Sequence, residues 1–187
     1  MKTVVFDFDK TLTYKDSLTE LFIQCIGGNF LLRFLYFCLK VMSKLGIISV
    51  KAEKLFMIKF LFKGKEKEFA DACRKQKIQF TPIIENLRSA LDSGYRVIVL
   101  SASACYLLDA LFEKTKVEVL GTTFEVRNGC IKGICQHPFY KEKVDTLKKY
   151  GVDAIDDMYF DSSHDECLIG MSKHWHRVRK GIIVDEK

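Results

Sequence analysis

Two aspartates near the start of the chain have the type and spacing for phosphoryl chemistry. Asp7 and Asp9 stand two residues apart in the segment FDFDKT, so their carboxylates would share one face of a continuing strand. Carboxylates this close repel each other unless a proton or a cation lies between them. Mg²⁺ suits such a pair, since it binds one or two carboxylates together with a substrate phosphate. A carboxylate can also attack phosphorus as a nucleophile. Taken alone, the pair is also compatible with two solvated loop acids.

Three further segments contain polar side chains that could complete a phosphate site. Ser101 follows the apolar run RVIVL, and its hydroxyl and the next backbone N–H, that of Ala102, could cradle a phosphoryl group. Lys143 could neutralise phosphoryl oxygens. In YFDSSHDE, Asp161 is placed to complete a metal site and Asp165 to orient a ligand or water. Ordinary alternatives are helix N-caps for Ser101 and Asp165 and an exposed helix lysine for Lys143.

The elements that must position these residues follow from hydrophobic periodicity. A buried strand is predicted at Thr3–Phe8, and residues 15 to about 80 show helical spacing broken at Gly27-Gly28, Gly46 and Gly64, which predicts about four helices. Beyond Thr81-Pro82 the patterns predict helix 83–93, strand 95–100, helix 104–114, strand 117–120, a hairpin turning at 127–129, helix 141–150, strand 158–160, helix 165–172 and strand 182–184.

Alternating strands and helices of this kind predict an α/β fold built on a parallel, Rossmann-like sheet. Ligands bind outside the carboxyl ends of such strands, so the acids after the first strand, Ser101 and Asp161 should meet there. We expect a core of residues 1–14 and 81–187, interrupted by an all-helical insertion of residues 15–80.

Composition narrows the functional class. The 187 residues are 48% hydrophobic and 29% charged with only 2 Pro, which is typical of a globular protein. The net charge of +6 and the pI near 8.9 are lower than is usual for a nucleic-acid-binding protein.

The seven cysteines form no CxxC motif, so they indicate neither a disulfide framework nor a zinc site, and they suggest a reducing, cytoplasmic location. None of them lies six residues before an arginine, which excludes a Cys-x5-Arg phosphatase loop.

The segments FDFDKTLT, the strand-terminal Ser101, Lys143 and DSSHD, in this order, resemble the four motifs of the haloacid dehalogenase superfamily of aspartyl phosphatases. The helical insertion after the first motif is similar to the small cap of its phosphoserine-phosphatase-like branch. The resemblance implies that Asp7 is the nucleophile and Asp9 the general acid and base. It also implies that Mg²⁺ is held by the Asp7 carboxylate, the Asp9 backbone carbonyl and Asp161.

In the same resemblance Ser101, Ala102 and Lys143 bind the phosphoryl group, Asp165 supports the metal site and Thr11 braces the first loop. The sequence also departs from the family pattern. Lys10 and Ser162 stand where many relatives have glycine, and His164 stands where they often have asparagine. Ser162 could therefore shift the metal-side loop. His164 is interpreted as a loop residue, and Lys141 is an alternative to Lys143 as the phosphate-binding lysine.

The helical insertion should determine the substrate. Asp16 lies nine residues after Asp7, where phosphoserine-specific relatives have a glutamate that binds the substrate amine, and it could equally cap the first helix. Phe30–Leu45 is apolar around most of its circumference, with Arg33, Lys40 and Lys44 on one stripe. The segment fits a core helix with one wet edge, or a basic interfacial helix that contacts an anionic membrane. We do not expect this segment, the most apolar of the chain, to span a membrane, because it contains three cations.

These features predict a Mg²⁺-dependent phosphomonoester hydrolase that acts on a small phosphorylated metabolite through an aspartyl-phosphate. A lipid-phosphate phosphatase recruited to membrane by the basic insertion, or a catalytically silent phosphate-binding module, are the alternatives. Residues 15–80 hold 13 Lys and Arg against 6 Asp and Glu, so the basic excess of the chain lies entirely in the insertion.

Overall fold

A seven-stranded mixed sheet forms the centre of the structure, a computed structural model that describes all 187 residues. The strands are β1 (Thr3–Phe6), β2 (Arg96–Ala104), β3 (Glu118–Arg127), β4 (Cys130–Gln136), β5 (Ile155–Phe160), β6 (Ser172–Arg179) and β7 (Ile182–Glu186). They lie in the order β4-β3-β2-β1-β5-β6-β7. The five inner strands are parallel, whereas β4 and β7 pair antiparallel at the two edges. The predicted α/β fold is confirmed, with two antiparallel edge strands added to the parallel sheet.

Seven α-helices accompany the sheet, and four of them occupy the predicted helical insertion. The helices are α1 (Ser17–Ile26), α2 (Phe30–Lys44), α3 (Val50–Phe62), α4 (Glu66–Lys75), α5 (Ile84–Asp92), α6 (Cys105–Phe112) and α7 (Glu142–Lys149). Side-chain N-caps begin the first three: Asp16, Asn29 and Ser49 each accept a hydrogen bond from a backbone N–H three residues on. The predicted glycine breaks separate these four helices as expected.

Strand residues alternate between two apolar layers. Val4 and Phe6 of β1 point to the side covered by α5, α6 and the insertion, while Val5 points to the side covered by α7. The same alternation in β2 places Val99 on the first side and Leu100 on the second. The sheet is therefore buried on both faces, which explains why its inner strands read as nearly continuous apolar runs.

The two chain segments that enter and leave the insertion lie side by side. Thr13 and Phe80 form an antiparallel bridge, and the Thr81 backbone N–H donates to the Leu12 carbonyl at 2.8 Å. The β3–β4 hairpin provides a second contact, because the Ile131 N–H donates to the Gly64 carbonyl at 2.7 Å. The insertion is thus held both at its base and by the hairpin.

Several predicted boundaries are wrong. Strand β2 does not end at Leu100 but continues to Ala104 through an irregularity in its pairing with β3. The predicted helix over 165–172 is a 3-10 helix, Ser163–Met171, and it leads directly into β6. That strand was missed because its sequence, SKHWHRVR, lacks apolar alternation and buries only Val178.

The interpretation of Phe30–Leu45 as a core helix with one wet edge is also wrong. Of the 15 residues of α2 only Tyr36 is buried, and most of its phenylalanine and leucine side chains face outward. Lys40, from the predicted basic stripe, turns inward and forms an ion pair with the buried Glu53 at 2.9 Å. No helix in the structure combines the length and the apolar character needed to cross a membrane.

Candidate active site

The carboxyl ends of three adjacent strands bring the predicted site residues together. Asp7 follows β1, Ser101 lies near the end of β2, and Asp161 follows β5, and β1 is hydrogen-bonded between the other two strands. A cavity of about 150 Å³ opens at this edge. It is lined by Asp7, Asp9, Lys10, Asp16, Ser101, Ala102, Phe139, Lys143, Asp161, Ser162, His164 and Asp165. The expected convergence is therefore present.

Three carboxylates and one ammonium form the floor of this cavity. Asp7, Asp161 and Asp165 each place an oxygen within 4.8 Å of the others. Lys143 donates from Nζ to Asp7 Oδ1 at 2.7 Å and also to Asp165 Oδ1. Lys143, Asp7 and Asp165 are all buried. Lys141, the alternative lysine, is exposed and lies over the Tyr140 ring, so the structure brings only Lys143 to the acids.

The combined effect of burial and the neighbouring charges raises the pKa values of both Asp7 and Lys143. Burial raises the pKa of Asp7 well above its usual range, the negative charges of Asp165 and Asp161 raise it further, and Lys143 opposes them. Burial alone would lower the pKa of Lys143, but its two carboxylate partners outweigh burial and raise it. Lys143 is thus protonated in the floor of the cavity, where it contacts two carboxyl groups and lies near a third.

Asp9 lies in a different environment although it is only two residues from Asp7. Its Oδ1 accepts from the Ser17 backbone N–H at 2.8 Å, and its Oδ2 accepts from Ser103 Oγ at 2.5 Å. Burial and the charge of Asp16 raise the pKa of Asp9 to about 6, against the opposing effect of these hydrogen bonds. A carboxyl group with a pKa this close to neutrality can both give and take a proton.

The segment Ser101–Ser103 is held on both sides. The Ser101 hydroxyl accepts from the Ser103 N–H at 3.1 Å. The Ala102 carbonyl accepts from Thr122 Oγ1 at 2.7 Å and from Lys54 Nζ at 2.8 Å. Because both donors fix the carbonyl, they also fix the plane of the peptide groups that border the cavity.

Thr11 and Lys10 follow Asp7 in the first loop. Thr11 is fully buried, and its hydroxyl donates to Asp7 Oδ2 at 3.1 Å. Lys10 adopts a left-handed backbone with φ of 63°, the region that favours glycine. Ser162, in contrast, has an extended backbone that any residue adopts. The expected shift of the metal-side loop therefore has no basis in its backbone conformation.

Asp16 caps α1 and also reaches the cavity. Its Oδ1 accepts from the Thr19 N–H at 2.7 Å, so the capping alternative is confirmed. Burial would raise the pKa of Asp16, but the Lys40 charge and the Thr19 hydrogen bonds outweigh it and hold that pKa below its usual range. Asp16 thus presents a stable negative charge at the insertion side of the cavity.

The donor set of the floor fits a hard divalent cation. Three carboxylates within 4.8 Å supply the oxygen ligands that Mg²⁺ prefers, and a cation among them would relieve their repulsion. Asp165, expected to support the site, is itself a member of this cluster with Asp7 and Asp161. The carboxylate of Asp9 faces Ser17 and Ser103 instead, so only its backbone carbonyl is left for the expected metal contact.

Besides Phe139, which lines the cavity, four residues that bind Asp9 or the Ala102 carbonyl were not among the predicted site residues. Ser17 and Ser103 bind Asp9, while Lys54 and Thr122 bind the Ala102 carbonyl. Ser103 could have been recognised from the sequence, because it is the second serine of a Ser-x-Ser segment after a strand. The other three come from α1, α3 and β3, and no local pattern in the sequence sets them apart.

Comparison with protein families gives one match over most of the chain. The model of the haloacid dehalogenase-like hydrolases matches residues 4–166. No curated protein matches the sequence.

Solved structures share the fold at low sequence identity. A protein of unknown function from Bordetella pertussis Tohama I superposes with a TM-score of 0.73 at 19% identity, over 91% of this chain and 86% of that one. A phosphoserine phosphohydrolase-like protein from Francisella tularensis gives 0.70 at 15% identity, over 95% and 87%. The phosphoserine phosphatase from T. onnurineus gives 0.62 at 19% identity, over 93% and 82%. The TM-scores establish a common fold, and identities this low establish nothing beyond the fold.

Proposed function

The chain belongs to the haloacid dehalogenase-like hydrolases, and on that premise we propose that it is a Mg²⁺-dependent phosphomonoester hydrolase. The observation that carries the proposal is the different surroundings of two aspartates only two residues apart. Asp7 lies among carboxylates and an ammonium, whereas Asp9 is hydrogen-bonded to a serine hydroxyl and a backbone amide. Two carboxyl groups with separate environments can take separate roles in one reaction.

In the first step Asp7 attacks phosphorus. The carboxylate oxygen forms a bond to the phosphoryl group, the bond from phosphorus to the leaving oxygen breaks, and Asp9 donates its proton to that oxygen. The product is an alcohol and an aspartyl-phosphate. The pKa of about 6 for Asp9 supports this role, because a group that is partly protonated near neutrality can act as an acid.

In the second step Asp9, now a carboxylate, takes a proton from water as the water oxygen attacks phosphorus. The bond between phosphorus and Asp7 breaks, which releases inorganic phosphate and restores both side chains. Lys143, Ser101 and the Ala102 N–H are proposed to hold the phosphoryl oxygens through both steps. The Lys143 ammonium at 2.7 Å from Asp7 also offsets the negative charge that the phosphoryl group brings.

Mg²⁺, when bound by Asp7, Asp161 and Asp165, supplies the positive charge that allows an anionic nucleophile and an anionic phosphate to approach each other. We assign Asp165 to the metal site together with the expected Asp7 and Asp161 because all three share one cluster.

We further propose that residues 15–80 form a cap that selects a small phosphorylated substrate over a core of residues 1–14 and 81–187. Asp16 and Lys54 support this role, since one lines the cavity and the other binds the Ala102 carbonyl that borders it. Their opposite charges favour a substrate with its own polar or charged groups beyond the phosphate. A catalytically silent module would have no need for the separate environments of Asp7 and Asp9.

Steady-state hydrolysis of an aryl phosphate, with Mg²⁺ and with chelator, tests the proposal. We expect Mg²⁺-dependent turnover that falls by a factor on the order of 10³ or more in Asp7→Asn. Asp92→Asn, an exposed aspartate at the end of α5, is the matched control and should retain full activity. Full turnover in Asp7→Asn, or equal turnover with chelator, would show that the proposal is wrong.

A further inference from the structure

Helix α2 presents a broad apolar surface to solvent. Phe30 is 81% exposed, Phe34 56% and Phe37 62%. We call this surface the α2 outer face; its residues are Phe30, Leu31, Phe34, Leu35, Phe37 and Val41, with Leu45 and Ile47 of the following turn. The helix packs against the rest of the insertion through the opposite side, where Leu32, Tyr36 and Leu39 join the core. It therefore carries two apolar faces, of which the packing of the chain uses only one.

The α2 outer face is larger than an ordinary surface patch. Taking about 180 Å² for a fully exposed phenylalanine, Phe30, Phe34 and Phe37 alone expose roughly 360 Å², and the other five residues of the face, each 39–72% exposed, add to this area. The largest apolar patch of a typical monomer is about 300–600 Å². Helix α3, which packs on α2, exposes two further phenylalanines, Phe56 and Phe60, stacked at 6.1 Å. A surface of this size indicates an interaction site.

The solvent-facing charges of α2, α3 and the turn between them have one sign. Residues 27–63, which include α2 and α3, contain seven Lys and Arg but a single acidic residue, Glu53. Glu53 is buried against Lys40, so no carboxylate of this segment faces solvent. Four of the basic residues are exposed and form no ion pair, namely Arg33, Lys44, Lys59 and Lys63. The surface thus combines apolar side chains with free positive charge.

An anionic lipid bilayer matches both properties. An amphipathic helix that lies in the membrane plane inserts its apolar face roughly 5–10 Å into the interface and keeps Lys and Arg at the head groups. A second copy of the chain would cover a comparable area, since about 800 Å² per partner is usual in a dimer. A copy would, however, place like charges beside each other around the contact, with no solvent-facing carboxylate of residues 27–63 to offset them.

We propose that the α2 outer face docks the protein on the surface of an anionic membrane. Lys44 and Lys59 contribute the attraction to lipid phosphates, and Phe34 and Phe37 contribute the insertion. The docking requires neither Asp7 nor Mg²⁺, so it stands independently of the catalytic proposal.

Sedimentation with vesicles tests the proposal on the full chain. Wild-type protein should bind phosphatidylcholine vesicles that contain phosphatidylglycerol, at least about tenfold more tightly than vesicles of phosphatidylcholine alone, and salt should weaken the binding. Phe34→Glu/Phe37→Glu should reduce binding to the anionic vesicles about tenfold or more, and so should Lys44→Glu/Lys59→Glu. Ile182→Glu/Val184→Glu is the matched control, because these exposed residues of β7 lie outside the insertion.

Each result decides for or against docking. Equal binding of Phe34→Glu/Phe37→Glu and wild type, or no binding of wild type to either vesicle, would overturn the proposal. A wild-type dimer in solution that Phe34→Glu/Phe37→Glu dissociates, without vesicle binding, would assign the face to a second copy. None of the substituted residues lines the catalytic cavity, so aryl phosphate hydrolysis without vesicles should be unchanged in every variant. An inactive protein that still binds vesicles would contradict the proposed function alone.

Discussion

Replacing Lys143 by methionine should destabilise the metal-free protein strongly. The Lys143 ammonium is the only cation in contact with the acids of the cavity floor, and its side chain is 5% exposed. Methionine keeps the length and the apolar stem of the side chain but removes its charge. The substitution therefore removes the common partner of Asp7 and Asp165 and leaves both of them close to Asp161.

Two considerations set the cost. Removing one partner of a buried ion pair typically lowers stability by about 3–5 kcal/mol. With an effective dielectric constant of about 20, an ammonium and a carboxylate 2.7 Å apart attract each other by about 6 kcal/mol, and the desolvation cost of the buried ammonium offsets part of that attraction. We thus expect the free energy of unfolding to fall by about 3–5 kcal/mol in Lys143→Met.

Urea denaturation at pH 7 in the presence of chelator measures this cost. Lys141→Met is the matched control, since Lys141 lies two residues away on the exposed side and should change the free energy of unfolding by less than about 0.5 kcal/mol. Adding Mg²⁺ at about 100 times its dissociation constant should stabilise the folded protein by about 2.7 kcal/mol.

Replacing one of the acids provides a further check of the electrostatic account. Asp165→Asn should be less harmful in the Lys143→Met background than in wild type, because it then removes repulsion instead of an ion-pair partner. A cost below about 1 kcal/mol for Lys143→Met, or an equal cost for Lys141→Met, would refute the electrostatic account of the cavity floor.

Substitutions at three further positions separate structural from functional roles around the cavity. Burial lowers the pKa of Lys54 to about 8, against the charges of Asp16 and Asp9, so the folded protein releases this proton before the unfolded chain does. Stability should therefore rise between about pH 8 and 10.5, by up to about 3 kcal/mol, and urea titrations should show no such rise in Lys54→Met. Asp16→Ala should cost about 1 kcal/mol through loss of the helix cap, while Asp16→Ser keeps the cap; a higher KM in both would identify a substrate contact. Thr122→Val should raise KM for an aryl phosphate roughly fivefold with little change in kcat, and Thr122→Ser should restore it; equal kinetics in both variants would contradict a positioning role.

Local sequence patterns predicted the parts of this fold that depend on local physics. The runs around Val4–Phe6 and Val97–Leu100 indicated buried strands because both faces of an inner strand are covered. Breaks at glycine separated the helices of the insertion. Strand β6 could not be found in this way, because its pairing with β5 holds it in place and its side chains are mostly polar.

The residues of the candidate site also divide into those that the sequence could predict and those that it could not. Asp7, Ser101 and Asp161 were predictable because each follows or ends an apolar strand, and parallel strands bring such residues to one edge. Lys54 and Thr122 were not, since their contacts with the Ala102 carbonyl depend on the tertiary position of α3 and on the pairing of β3 with β2. The exposed side of α2 could not be predicted either, because the sequence of an apolar helix does not indicate which of its faces the rest of the chain covers.

The aspartyl-phosphate at Asp7 is the central claim, and Asp9→Asn offers the most direct test of it. A nitrophenolate leaves without a proton, so this variant should still form the intermediate from an aryl phosphate but lack the base that hydrolyses it. Rapid acid quenching followed by peptide mass spectrometry should find one phosphoryl group on Asp7. A phosphoryl group on Ser101, Ser103 or any other residue, or continued turnover with no phosphorylated peptide, would contradict the mechanism.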